Sequence, residues 1–466
     1  MKLSWIFWLC LVGFAPALDA ADVLSPQAVD QRIEQVRTRG VIVQVLDQDR
    51  RPLANVAVRA EMRRHQFLFG CNFFLFEKLP APEENRRYLE MWSGLFNYAT
   101  LPFYLGQYRP AADQNEEPRL REMARWCQSH GVTTKGHPLV WHFPGPETNP
   151  AWLPRDPAAL ESVLREHVPT VVRAFPEIAY WDALNEPTTA WMYKTPIGKW
   201  ENSRGPLEAA RQILEWTGAG NGSARFLIND YNVRFDLMSL LAIFHPGREV
   251  RMLFDGVKNY PQNYHQFLAD LQRRGGQFQA IGIQSHMHMG NWPLKTVWQT
   301  CERYSDLGVP LHFTEVTVLS GAHKIMNPFN PKWNQPWPST PRGEQAQADY
   351  VEKFYSLLFS HPAVQAITWW DLSDREAWMD APAGLIRKDL SPKPAYDRLQ
   401  SLIHEKWWTD FRGLTDDQGR LGFRGFCGDY WLHLPGRAEP VVFAIDCARG
   451  EDQSIEVAVQ KTAGAK

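Results

Sequence analysis

Between residues 67 and 370 the chain repeats one alternation eight times, a short and nearly continuous apolar run followed by a stretch with helical spacing. The strand-like runs fall at 67–70, 95–100, 132–136, 178–185, 225–230, 280–284, 310–315 and 366–370. Helical stretches such as 118–130, 157–174 and 344–359 lie between them. Strands apolar on both faces belong in a parallel sheet covered by helices. Eight such units in succession imply closure into a (β/α)8 barrel. Chemistry in that architecture collects at the C-terminal strand ends. This sequence puts Thr100, His137, Glu186, Asp230, Gln284, Glu315 and Trp370 there.

The 466 residues exceed the roughly 250 that a barrel needs, so the flanks require their own account. Residues 26–39 have helical character, and the alternating runs 41–46 and 54–60 around the turn 47–52 read as a hairpin. The tail from Trp407 is turn-rich, with short strands expected at 421–426, 430–434 and 441–445. Some 60 residues are too few for a sandwich of about seven strands. Hairpin and tail are therefore expected to join in one small β-sandwich-like accessory domain built from both chain ends. The expected boundaries are 22–64 and 404–466 for the accessory parts and 65–403 for the barrel. The Pro-, Trp- and Asn-rich stretch 319–342 reads as a long loop over the active face.

Residues 1–21 read as a secretory signal, with Lys2, an apolar stretch over 3–14 and small residues before Ala21. Twelve apolar residues are too few to span a bilayer, so a secreted or periplasmic monomer with no membrane partner is expected. The net charge of −2 gives no electrostatic case for nucleic acid. Cys71, Cys127, Cys301, Cys427 and Cys447 follow the signal without metal-type spacing. Cys427 and Cys447 share the late β-rich segment and could pair; small buried hydrophobes are the reading for the others. His286 and His288 with Glu315 lack a third well-spaced ligand, so no metal and no cofactor is expected.

Two of the strand-end residues are glutamates, Glu186 after the fourth run and Glu315 in the seventh. Carboxylates at the ends of parallel strands can converge on one pocket, and a pair of them is the minimum equipment for cutting a glycosidic bond. The 20 Trp, 25 Phe and 14 Tyr supply a large aromatic core and candidate platforms for sugar rings.

The run Gly136-His137-Pro138-Leu139-Val140-Trp141-His142, with Trp181-Asp182-Ala183-Leu184-Asn185-Glu186, Ile283-Gln284-Ser285-His286 and Thr314-Glu315, resembles glycoside hydrolase family 10, the xylanase family. Runs 228–232, 368–374 and 392–396 also look like that family's motifs, in the same order, and the likeness covers roughly residues 65–403. The resemblance implies a polysaccharide or oligosaccharide substrate, an endo-1,4-β-xylanase type first, with Glu186 as acid/base and Glu315 as the nucleophile of a retaining mechanism. It implies that His286 and Gln284 lie beside the nucleophile and that Asn185 contacts the 2-hydroxyl of the cleaved sugar. His137, Trp141, Trp370 and Trp378 would line that same subsite. His142 would either line the site or brace its loop, and Asp230 would cap the segment that follows it. One stretch departs from the family. After the second strand the family carries a Glu, an Asn and a Lys that bind sugars on the non-reducing side, whereas residues 100–107 read Thr-Leu-Pro-Phe-Tyr-Leu-Gly-Gln. A different β-glycan, an exo-like pocket closed by Phe103 and Tyr104, or a glycan-binding barrel with weak turnover are the alternatives this leaves open.

Overall fold

The computed structural model describes residues 23–108, 116–233, 263–324 and 334–459. The expected signal segment lies outside them, as do residues 325–333 of the expected loop. After the helix Pro26–Arg37 come two long strands, β1 (Thr38–Leu46) and β2 (Ala57–His65). The next nine are β3 (Leu68–Asn72), β4 (Tyr98–Pro102), β5 (Thr133–His137), β6 (Val140–Trp141), β7 (Tyr180–Asn185), β8 (Arg225–Asp230), β9 (Ala280–His286), β10 (Leu311–Thr317) and β11 (Val364–Trp369). Five short strands finish the described chain: β12 (Asp410–Leu414), β13 (Arg420–Phe426), β14 (Gly428–His433), β15 (Val441–Ile445) and β16 (Gln453–Ala458).

Strands β3 to β11 form one parallel sheet. It closes on itself through Lys135↔Tyr180 and Gly136↔Trp181 between β5 and β7, while β6 prolongs the β5 edge beyond Pro138. All eight expected runs are barrel strands, and β3, β4, β7 and β10 are buried along their whole length. Leu68, Tyr98, Tyr180, Leu227, Ala280 and Ala366 pack together as an inner layer. The covering helices start where the sequence signals a start. Asp156 accepts from Ala159 N and Thr340 from Gly343 N, each followed by Pro at the first helical position. At Gly136 an added Cβ would lie 2.3 Å from the Trp181 ring, so β5 can pass that ring only as glycine.

The two chain ends do build one sandwich, with sheets ordered β13-β1-β16 and β12-β2-β14-β15. The expected hairpin is not formed. β1 pairs with β13 and β16, β2 with β12 and β14, and the segment between β1 and β2 crosses from one sheet to the other. Val41, Val43 and Val45 face Val58, Ala60 and Met62 across the core. Alternation in a sequence marks a half-buried strand but does not say whether two such strands lie side by side or face to face. β12 and β16, unread in the sequence, carry many polar residues and sit at sheet edges.

Beneath the barrel the sandwich is fastened by buried aromatics. Trp407 packs on Phe359 (4.4 Å) and Phe69 (6.0 Å), and the Arg37 guanidinium donates to the carbonyls of Phe359, His361 and Val364, each at 2.7 Å. Val364 begins β11, so this contact is at the end opposite the strand-end glutamates. Cys427 and Cys447 form a disulfide with Cα atoms 5.6 Å apart. Their separation of 20 residues corresponds to about 3 kcal/mol of loop-closure stabilisation. Replacing both cysteines by serine should lower the sandwich's unfolding free energy, extrapolated from urea titrations, by that order while leaving the far end of the barrel intact, as intrinsic fluorescence and circular dichroism would record.

Candidate active site

Among the barrel's register slips, one falls between Asp182 and Leu184 on β7 and one between Phe313 and Glu315 on β10. Such bulges re-aim the residues that follow them, and one of the two glutamates lies at or just past each. Glu186 itself adopts a left-handed backbone (φ 61°, ψ 39°), a conformation that costs a non-glycine residue on the order of 1 kcal/mol or more. Its strain is held from both sides. Glu186 N donates to Asn229 O (2.6 Å), and Thr188 donates through N and Oγ1 to Asp230 Oδ2 (3.1 and 2.8 Å). Asp230 also accepts from Asn232 N at 2.7 Å, so it caps its own turn, as expected, and anchors the neighbouring one.

Both carboxyls are buried, at 7% exposure for Glu186 and 5% for Glu315. Glu186 accepts from Gln284 Nε2 and Trp141 Nε1, both at 3.0 Å, and at longer range from Asn185 Nδ2 (3.4 Å). Glu315 accepts from Asn229 Nδ2 (2.7 Å) and pairs with His286 Nε2 (2.9 Å), whose Nδ1 meets Thr317 Oγ1 (2.8 Å). The Asn229 amide donates also to Asn185 Oδ1 (2.9 Å) and accepts from Thr314 Oγ1 (2.6 Å). One fixed amide therefore ties the two glutamates into a single network.

Their proton affinities are pushed apart. Burial, reinforced by the charges of Glu315 and Asp230 against the opposing Gln284 hydrogen bond, raises the Glu186 carboxyl to about 8. Burial also works to raise Glu315, but the His286 hydrogen bond and the charges of His137, His286 and Lys135 outweigh it and hold that carboxyl below its ordinary value. The Lys135 side chain, buried inside the barrel, is itself lowered by desolvation.

The remaining expected residues gather around this pair. His137 bonds Asp182 Oδ2 through Nδ1 at 2.6 Å, and its ring lies edge-on to Trp370 at 5.4 Å. Trp370 and Trp378 flank His286 at 5.9 and 4.6 Å, and Trp378 N is held by Asp371 Oδ2 (3.0 Å). His142 stands apart, buried 3.3 Å from Glu201 with its carbonyl accepting from Thr195 Oγ1; it braces the loop. Phe103 does not close a pocket, because it packs in the core against Phe175 and Trp181, both at 4.8 Å. Asn229, Asp182, Lys135 and Asp371 are site residues that motif reading passed over. Asn229 lies inside a quoted run, and its place at the end of a buried strand was the available signal. Among the described residues no three His, Cys, Asp or Glu side chains are grouped to hold a metal ion.

Two buried carboxyls at the C-terminal mouth of a (β/α)8 barrel are the equipment that cutting a glycosidic bond requires. A model of glycosyl hydrolase family 10 matches residues 107–242 and 254–402. The chain belongs to that family and is a glycoside hydrolase. It is 25% identical over 353 residues to endo-1,4-beta-xylanase B of Thermotoga neapolitana, covering 73% of this chain and 88% of that protein. It is 22% identical over 433 residues to the anti-sigma-I factor RsgI6 of Acetivibrio thermocellus, with 91% of this chain spanning only 49% of that protein. Native xylanase 10B from Thermotoga maritima shares the fold at a TM-score of 0.55 and 21% identity, over 73% of this chain and 96% of that one.

The raised Glu186 carboxyl carries a stability consequence. Between the ordinary glutamate value and about 8 the folded chain keeps a proton that the unfolded chain releases, so stability falls as pH rises through that window. Glu186→Gln removes this loss. It should be more stable than the parent by about 4 kcal/mol at pH 8 and nearly equal at pH 4.5, in urea titrations at the two values.

Proposed function

We propose that the protein is a secreted or periplasmic, monomeric, retaining hydrolase of β-linked polysaccharide, xylan-like first, in which Glu186 is the acid/base and Glu315 the nucleophile. The observation that carries this reading is the opposed titration of two carboxyls within one hydrogen-bond network. Glu315 stays ionised and can attack the anomeric carbon. Glu186 is protonated at neutral pH and can give its proton to the departing glycosidic oxygen as that bond breaks. The ester formed on Glu315 carries no charge, so the like-charge contribution that raises Glu186 disappears and its proton affinity falls. That change suits Glu186 to accept a proton from the incoming water, which opens the ester and restores both groups. Asn185 and His137 are then the groups that meet hydroxyls of the cleaved sugar, with Trp141, Trp370 and Trp378 forming its walls. The likeness to xylanases supports xylan as the first substrate to try, and residues 1–21 support work outside the cytoplasm.

Three variants test the assignment on an aryl β-xyloside. Glu315→Ala should lower kcat by at least about 10⁴-fold, and azide entering on the face the carboxylate left should yield the α-glycosyl azide. Glu186→Ala with the same nucleophile should give the β-azide, because azide then opens the ester from the opposite side. Either product with the wrong anomeric configuration by NMR reverses the roles. In the parent enzyme kcat/KM should decline above pH about 8 as Glu186 loses its proton, a limb that Glu186→Gln should abolish.

A further inference from the structure

Above the apolar inner layer the barrel interior turns polar. Two residues beyond Tyr98, Tyr180, Leu227 and Ala366 on their strands stand Thr100, Asp182, Asn229 and Thr368, and β3 and β9 contribute glycine at the same step. β5 adds Lys135, the register partner of Thr100, and β10 adds His312, the partner of Gly282. None of these side chains is apolar, although branched hydrocarbons usually fill such a barrel. The six that are not glycine are fully buried. Among the described residues, Lys135 Nζ, Asp182 Oδ1, both His312 ring nitrogens and the Thr100 and Thr368 hydroxyls have no hydrogen-bond partner.

The charges of the barrel strands leave one pairing unused. Apart from Arg225, which begins β8 at an exposed position, Lys135 is the one Lys or Arg of β3 to β11, and the acids there are Asp182, Asp230 and Glu315. Asp230 accepts three hydrogen bonds, and Glu315 is held by Asn229 and His286. Asp182 is bonded only through Oδ2, to His137 Nδ1 at 2.6 Å. His312 is no rival cation, because burial pushes its imidazole down to about 3. β5 and β7 pair Lys135 with Tyr180 and Gly136 with Trp181, so the next step sets His137 beside Asp182 and makes Lys135 the diagonal neighbour of that acid. Lys135 and His137, two residues apart, lie on one face of β5. A buried ammonium and a buried carboxylate are each costly alone. In keeping with this layout, Asp182 comes first among the charges that offset the desolvation of Lys135.

Resting on the reading above that sets His137 against a hydroxyl of the cleaved sugar, we propose that Lys135 is a positioning residue. It supplies the positive charge that lets Asp182 serve His137 as a carboxylate. Asp182 then accepts the Nδ1 proton of His137, and Nε2 of the same ring is left for the substrate. A protonated Asp182 would donate to Nδ1 instead and would reverse which ring nitrogen carries the proton. Lys135 thus acts on the sugar from beneath the site, through Asp182 and His137.

Thermal melting of Lys135→Met, Asp182→Asn and the double variant tests the pairing. Either single change leaves one buried charge alone, so the double variant should melt about 3 °C or more above the less stable single. A smaller gain, or none, overturns the proposal. Proton NMR supplies a readout that packing alone would not move. The downfield His137 Nδ1–H resonance, identified by its loss in His137→Gln, should disappear or move upfield in Lys135→Met, and an unchanged resonance overturns the proposal. On an aryl β-xyloside Lys135→Met should lower kcat/KM about tenfold or more, yet by less than about threefold in the Asp182→Asn background. A larger loss in that background overturns the proposal. Lys135→Gln takes the place of Lys135→Met in every arm if the methionine variant does not fold. If His137→Gln leaves kcat/KM unchanged, the placement of His137 against the sugar falls, while melting and NMR still decide whether Lys135 serves Asp182.

Discussion

The hydrogen bonds that the Asn229 amide makes to Glu315 Oε1 (2.7 Å) and Asn185 Oδ1 (2.9 Å) join two buried acids that could not both be ionised without large cost. Everything else at the barrel mouth follows from managing that repulsion. One acid is surrounded by donors and cations, His286 and Lys135 among them, and keeps its charge. The other receives neutral donors from Gln284 and Trp141 and keeps its proton. The asymmetry comes from which strands flank each residue. β9 sends Gln284 toward one acid and His286 toward the other, two residues apart on the same face of one strand.

Holding that arrangement requires a rigid frame, and the frame contains its own strain. Glu186 sits in a left-handed backbone just past the register slip on β7, and such conformations persist only where surrounding structure over-determines them. Here the determinants are Asp230 on Thr188, Asn229 O on Glu186 N, and the continuous aliphatic and aromatic packing of strands against helices. The sandwich grips the opposite end through Trp407 and Arg37. Its part is to close the base of the barrel, and its own core is separate from the barrel's.

Around the two acids the mouth also carries rings, with Tyr104, His137, Trp370 and Phe74 in edge-to-face contact. Aromatic surfaces offer area and shape but little discrimination among hydroxyl positions, whereas buried polar groups reject a ligand that leaves them unpaired.

The eight apolar runs were enough to define the barrel, because a strand buried on both faces has few other places to go, and the two glutamates could be read because they end such runs. The motifs also located Gln284, His286, His137 and Trp370, whose positions at strand ends fix the direction in which they point. What the sequence could not supply was anything set by contact between distant segments. The partners of β1 and β2 are four strands from the other chain end. Phe103 and Tyr104 are adjacent aromatic residues of similar size, and only the packing of Phe175, Trp181 and Glu147 against their loop sent one into the core and the other to the mouth. The opposed titration of Glu186 and Glu315 is of the same kind. A carboxyl's proton affinity is a property of its surroundings, and those surroundings exist only once eight strands have closed.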